Sequence, residues 1–116
     1  AKKYWPGPLT LVLPVRKGIF KQASPTVALR ISSNPIAQKL SQVLGKPIVA
    51  TSANRSGQPN CYSIGEVVET LGRHREKIDF MIDTGVLSQK KPTTIVAATE
   101  EKFTVIRQGE ILFSKK

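Results

Sequence analysis

TVALRISSNPIAQKLSQVLGKPIVATS, residues 26–52, reads as strand, helix and strand in one pass. TVALRI (26–31) is rich in β-branched residues and alternates, which predicts a strand. SSNPIAQKLSQVLG (32–45) then carries helix signals from end to end. Ser33 or Asn34 suits the N-cap and Pro35 the first turn. Ile36, Leu40, Val43 and Leu44 fall on one helical face, and Gly45 suits the C-terminal stop. KPIVATS (46–52) is apolar again and predicts another strand. Strands alternating with helices argue for an α/β fold.

The flanking sequence extends the pattern. PLTLVLP (8–14) is a short apolar run between prolines, as expected of a buried strand with marked ends. RKGIFKQASP (16–25) is polar and loop-like. SIGEVVETLG (63–72) predicts a second helix: Ser63 and Glu66 have capping-box spacing, Gly72 closes it, and Val67, Val68 and Leu71 face the core. RHREK (73–77) reads as a charged connector. IDFMIDTG (78–85) predicts a strand and turn, and VLSQKKP (86–92) a polar loop. TTIVAAT (93–99) and KFTVIR (102–107) predict a hairpin around Glu100 and Glu101. The fold expected is α/β, a twisted open mixed sheet with flanking helices, in one domain over residues 1–116.

Composition narrows the function. Hydrophobic residues make up 40%, a globular proportion. No apolar run approaches the roughly 20 residues that span a bilayer, so no membrane partner is expected. The opening AKKYWPG lacks the apolar core of a signal peptide, and Cys61 has no second cysteine to pair with. The expectation is a reducing, cytoplasmic setting. Ala1 leads straight into KKYWPGPLT, which reads as the middle of a fold and so as a fragment or a processed chain. Eighteen Lys and Arg against 8 Asp and Glu give a net charge of +10, which favours anionic partners such as nucleotides, phosphates or RNA. A solvated basic surface accounts for the same numbers.

Familiar catalytic and phosphate signatures are absent. There is no GxxxxGK[ST] loop, no GxGxxG, no zinc-ligand spacing and no Ser-His-Asp set. His74 stands alone in its charged connector, the usual situation of a solvated loop histidine. Polar groups do gather at expected strand ends: Thr26 and Arg30, Ser52 and Asn54, Thr93 and Thr94, and Arg107. Ligands in open α/β sheets often bind at strand ends, and arginine grips carboxylate or phosphate with paired hydrogen bonds. Threonine is also common in strands, serine and asparagine in turns, so these positions alone leave the question open. TSANRSGQPN (51–60) is the densest such stretch, with one glycine among many hydrogen-bonding groups.

Four segments in order, KKYWPGPLTLVLP, TVALRISSNPIAQKL, PIVATSANRSGQPN and TTIVAAT with FTVIRQGEI, resemble the YrdC family of threonylcarbamoyl-AMP synthases over nearly the whole chain. WPGPLT and TSANRSG are the most specific of these motifs. The resemblance implies a YrdC/RibB-like sheet around a basic cavity. It implies a nucleotidyltransferase that joins L-threonine, bicarbonate and ATP, with Mg2+ on the nucleotide, into threonylcarbamoyl-AMP. A downstream threonylcarbamoyl transferase then modifies adenosine 37 of tRNA. Carried over by motif, Thr26, Ser52, Asn54, Asn60 and Arg107 would contact ATP. Arg30, Ala50, Thr51 and Thr93 would hold L-threonine, and Ser52 and Asn54 are the residues closest to the chemistry. The family often has serine at the positions of Asn60 and Thr93, and RPG where this chain has RQG. The family's opening PTDTVYGL turn and KxRP segment have no counterpart in the sequence, so the resemblance implies an N-terminally truncated domain with little or no activity alone and an exposed sheet edge. Two other readings stay open: a module binding tRNA or double-stranded RNA, and a carbamoyl-transfer domain of a larger maturation enzyme.

Overall fold

The apolar run after Pro8 forms the central strand β1 (Leu9–Pro14). It pairs antiparallel with β2 (Thr26–Leu29) and parallel with β3 (Thr94–Ala98). β3 in turn pairs antiparallel with β4 (Phe103–Arg107), giving a mixed sheet in the order β2-β1-β3-β4. A computed structural model supplies these coordinates and describes residues 2–15, 24–99 and 102–113. Residues 16–23 of the expected loop, and the hairpin turn at Glu100 and Glu101, lie outside the described residues. The chain divides into two compact units, Ala1–Ile48 with Lys91–Lys116, and Val49–Lys90.

The sheet unit has one dry face. Leu9 and Thr94 are register partners, and both are buried, as is Val96 two residues along β3. Among the described residues Thr94 is the one buried polar side chain, and it is fully enclosed. Its hydroxyl donates to the Ile111 carbonyl at 2.7 Å and accepts from the Gly109 and Ile111 amides at 3.0 Å each. A buried hydroxyl satisfied three ways fixes the segment after β4 against the sheet. Gly109 is required there, because a β-carbon would meet the Pro92 carbonyl oxygen and lie 2.6 Å from the Thr93 carbonyl carbon. Phe113 extends the docking, edge-on to Tyr4 with ring centroids 5.5 Å apart.

Helix α1 (Pro35–Leu44) forms as its caps dictate. Asn34 Oδ1 accepts from the amides of Ile36 and Ala37, and Gly45 closes the helix in the left-handed region at φ 64°. Its apolar stripe stays largely in solvent: Leu40 and Leu44 are exposed, and Val43 is 76% exposed.

The second unit holds α2 (Ile64–Leu71) and a 3-10 helix, Gly72–Lys77. The Ser63 hydroxyl accepts from the Glu66 amide at 3.2 Å, while the Glu66 carboxylate reaches back to the Tyr62 amide at 2.7 Å. This is a capping box that closes one residue earlier than the standard form. Val67, Val68 and Leu71 are half-buried on one side of the helix.

Four expectations are corrected. Residues 46–52 form no strand, and neither do residues 78–84 before the turn at Gly85. Strand structure needs a hydrogen-bonding neighbour, and among the described residues neither run has one. Val49 and Phe80 are correspondingly exposed. The charged connector 73–77 is wound into the 3-10 helix, and the strand beginning at Thr26 stops at Leu29 instead of running to Ile31.

Candidate functional site

Register places the candidate residues of the sheet. Thr10 pairs with Ile95, which pairs with Arg107, so these three positions share one face of the sheet. Leu11 pairs with Leu29, so Arg30, one residue past the end of β2, falls level with Thr10. Thr93 immediately precedes β3. Arg30, Thr10 and Arg107 therefore stand level across one end of the sheet, with Ile95 between the last two and Thr93 two residues before Ile95 on the same face. Thr26 pairs with Pro14 at the other end. Four residues separate it from Arg30, about 13 Å along an extended chain. It shares the Thr10 face, because Pro14 lies an even number of residues from Thr10.

Side chains join three of these positions. The Arg107 guanidinium donates from Nη2 to the Thr93 carbonyl at 2.9 Å and to the Thr93 hydroxyl at 3.2 Å. Its Nε donates to the same carbonyl at 3.2 Å. The Thr93 and Thr10 hydroxyls lie 2.9 Å apart, in hydrogen-bonding contact. Arg30 and Arg107 are both exposed, so the end of the sheet is positively charged and open to solvent. Thr10 is a member of this cluster that the sequence alone does not single out. The available signal was one hydroxyl inside the otherwise apolar run PLTLVLP.

The TSANRSGQPN stretch belongs to the second unit. Residues 55–58 make a turn closed by the Gln58 amide on the Arg55 carbonyl at 2.9 Å, with Gly57 at φ 79° in third place. That is the position where a type II turn needs positive φ. Asn54 Nδ2 donates to the Gln58 carbonyl at 2.6 Å, so one of its two amide hydrogens is committed to bracing this turn. Its Oδ1 is shielded from solvent and has no hydrogen-bond partner among the described residues. Arg55 reaches the Leu71 carbonyl at the end of α2, at 3.5 Å. Ala50, Thr51, Ser52 and Asn60 are exposed. A cavity of about 160 Å³ lies nearby in this unit, between the start of α2 and the 82–87 loop, with Ala53, Cys61 and Asp83 in its wall.

Comparison with known proteins places this arrangement. The family model Sua5_yciO_yrdC, described as Telomere recombination, matches residues 1–109. The chain belongs to the Sua5/YciO/YrdC family. It is 42% identical over 108 residues to the threonylcarbamoyl-AMP synthase of Photobacterium profundum, covering 90% of this chain and 56% of that one. The crystal structure of Pyrococcus abyssi Sua5 complexed with L-threonine is similar at TM-score 0.79 and 38% identity, over 94% of this chain and 32% of Sua5. Escherichia coli YciO is similar at TM-score 0.59 and 30% identity, over 90% of this chain and 52% of YciO. The chain thus spans about half the length of the curated relatives it matches. Membership confirms the mixed α/β architecture, which those solved structures share.

Proposed function

We propose that this chain carries part of the substrate site of a threonylcarbamoyl-AMP synthase. The observation that carries the reading is the grouping of Arg30, Thr10, Thr93 and Arg107 at one end of the sheet. A cation beside neutral hydroxyls suits the carboxylate of an amino acid, and a second cation suits a nucleotide phosphate or base. Similarity to threonylcarbamoyl-AMP synthases, and to a Sua5 solved with L-threonine, supports the same assignment.

In this reading Arg30 and Thr93, with the backbone at Ala50 and Thr51, hold L-threonine. Thr26, Ser52, Asn54, Asn60 and Arg107 hold ATP. The threonine amine and bicarbonate give a carbamate and water. A carbamate oxygen then attacks the α-phosphorus of ATP, and pyrophosphate leaves. No side-chain nucleophile is needed, so the protein acts by positioning reactants and stabilising charge. Ser52 and the free amide hydrogen of Asn54 are the neutral donors for that second task. Magnesium would travel with the nucleotide. Among the described residues no group of three or more His, Cys, Asp or Glu side chains could hold a metal ion. The product would pass to a threonylcarbamoyl transferase acting on tRNA in the cytoplasm. No helix among the described residues is long and apolar enough to cross a membrane.

The 116 residues by themselves are proposed to bind substrates with little or no turnover, since they lack the lysine and arginine of the family's KxRP motif. Calorimetric titration of ATP and magnesium into the chain, with and without L-threonine, tests this. Binding that tightens with L-threonine supports the reading. Absence of heat from a chain shown to be folded overturns it. The net charge of +10 favours one further reading, binding of tRNA or double-stranded RNA, whose affinity would fall steeply with salt.

A further inference from the structure

We propose that Thr10, the hydroxyl of the WPGPLT motif, is a positioning residue for the L-threonine carboxylate, acting through Thr93 and Arg107. The inference rests on the substrate reading above and adds a residue and a mechanism to it. β1 is otherwise apolar at its core-facing and outer positions, so a hydroxyl there calls for a reason. Among the described residues its hydrogen-bond partner is the Thr93 hydroxyl at 2.9 Å. Thr93 is in turn gripped at two oxygens by Arg107.

The protons of this chain can be counted. Arg107 is always a donor, so the Thr93 oxygen accepts from it and keeps one lone pair and one proton. If Thr10 donates to Thr93, the Thr93 proton is free to point outward. If Thr93 donates to Thr10, the Thr10 proton is free instead. Either way one hydroxyl proton of the pair is left free to donate to a ligand. When that proton is on Thr10 it lies level with Arg30 across the β1–β2 pairing, and when it is on Thr93 it lies one strand farther from Arg30. A cation and one guaranteed hydroxyl donor on the same face match the two oxygens of a carboxylate. Without Thr10 the Thr93 hydroxyl loses its second partner, and its rotamer is set by Arg107 alone. Arg107 then has a less fixed acceptor, so the guanidinium itself should loosen.

Two readouts on the intact chain test this, with Thr10→Val and Thr10→Ser as variants. Valine is nearly isosteric and favours strands, so the fold should survive; Thr10→Ala, read in the same ways, stands in if Thr10→Val loses cooperative unfolding. The first readout needs no ligand. The Arg107 Nε–H resonance of the 15N-labelled chain, assigned by its loss in Arg107→Lys, should shift and exchange faster with water in Thr10→Val and return in Thr10→Ser. A resonance that does not move overturns the proposal. The second is titration with L-threonine. Thr10→Val should weaken binding about five-fold, the worth of one hydrogen bond, and Thr10→Ser should restore it. Equal affinity of Thr10→Val and the parent chain also overturns the proposal. If the parent chain takes up no L-threonine, the substrate reading fails, and the Arg107 resonance alone decides whether Thr10 positions the pair.

Discussion

The two units fix their candidate residues in opposite ways. In the sheet unit, positions as distant in sequence as Thr10 and Thr93 are brought together by backbone register, and Arg107 then ties them side chain to main chain. In the second unit, the turn at residues 55–58, next to Ser52, Asn54 and Asn60, is held by bonds spanning four residues or fewer and by one long contact from Arg55 to Leu71 at 3.5 Å. Long-range pairing places a group because moving it means breaking a ladder. A local turn places it only as firmly as its own few hydrogen bonds. The sheet end is therefore expected to be preformed, and the TSANRSGQPN turn to be softer.

Substitutions that pull on the two kinds of restraint should separate by size. The largest effect is expected at Gly109→Ala. The added β-carbon meets main-chain atoms of residues 92–94, which cannot swing aside as a side chain would. Overpacking against backbone should cost about 3 kcal/mol and lift the C-terminal segment from Thr94. Urea unfolding measures the loss, and a cost under about 1 kcal/mol would show that this close approach is slack. Thr94→Val follows. It keeps the shape but strands the Gly109 and Ile111 amides, while the Ile111 carbonyl keeps the Gln108 side-chain amide at 2.7 Å. About 2 kcal/mol should be lost, with faster hydrogen exchange at the Gly109 and Ile111 amides as the local signature.

Gly57→Ala is the counterpart in the turn. Nothing lies within 4 Å of the added β-carbon, so the only cost is a left-handed backbone at φ 79°, about 1 kcal/mol. Its prediction sharpens the comparison, because the strain should alter nucleotide binding more than it alters global unfolding. A drop in stability as large as that of Gly109→Ala would place the turn on the same footing as the sheet and remove the distinction.

The same contrast explains what the sequence disclosed. Helix α1 was legible because every signal was local: Asn34, Pro35 and Gly45 sit where cap chemistry needs them. The strands β1, β3 and β4 were legible as apolar or alternating runs of the right length. Residues 46–52 and 78–84 carry similar runs yet form no strand, because an apolar run records a wish for burial and not the presence of a pairing neighbour. The parallel pairing of β1 with β3 was beyond reach for the same reason, since it joins segments more than eighty residues apart. Thr93 and Arg107 could be named from motif resemblance, whereas their contact could not. Thr10 went unread because its role exists only across that pairing.

The smallest effect is expected at Arg55→Ala. Arg55 is basic, lies inside the most motif-like stretch of the chain, and invites assignment to an anion. Its guanidinium instead points to the Leu71 carbonyl at the C-terminus of α2, where a cation also suits the negative end of the helix dipole. The contact is long at 3.5 Å and exposed, so removing it should cost less than about 0.5 kcal/mol in urea unfolding. ATP affinity should hold within about two-fold, because one weak exposed hydrogen bond is all the turn forfeits. A large loss of affinity with stability unchanged would mean that Arg55 leaves Leu71 to meet phosphate. The turn would then be a charged clamp in its own right, and its softness would be what lets it close.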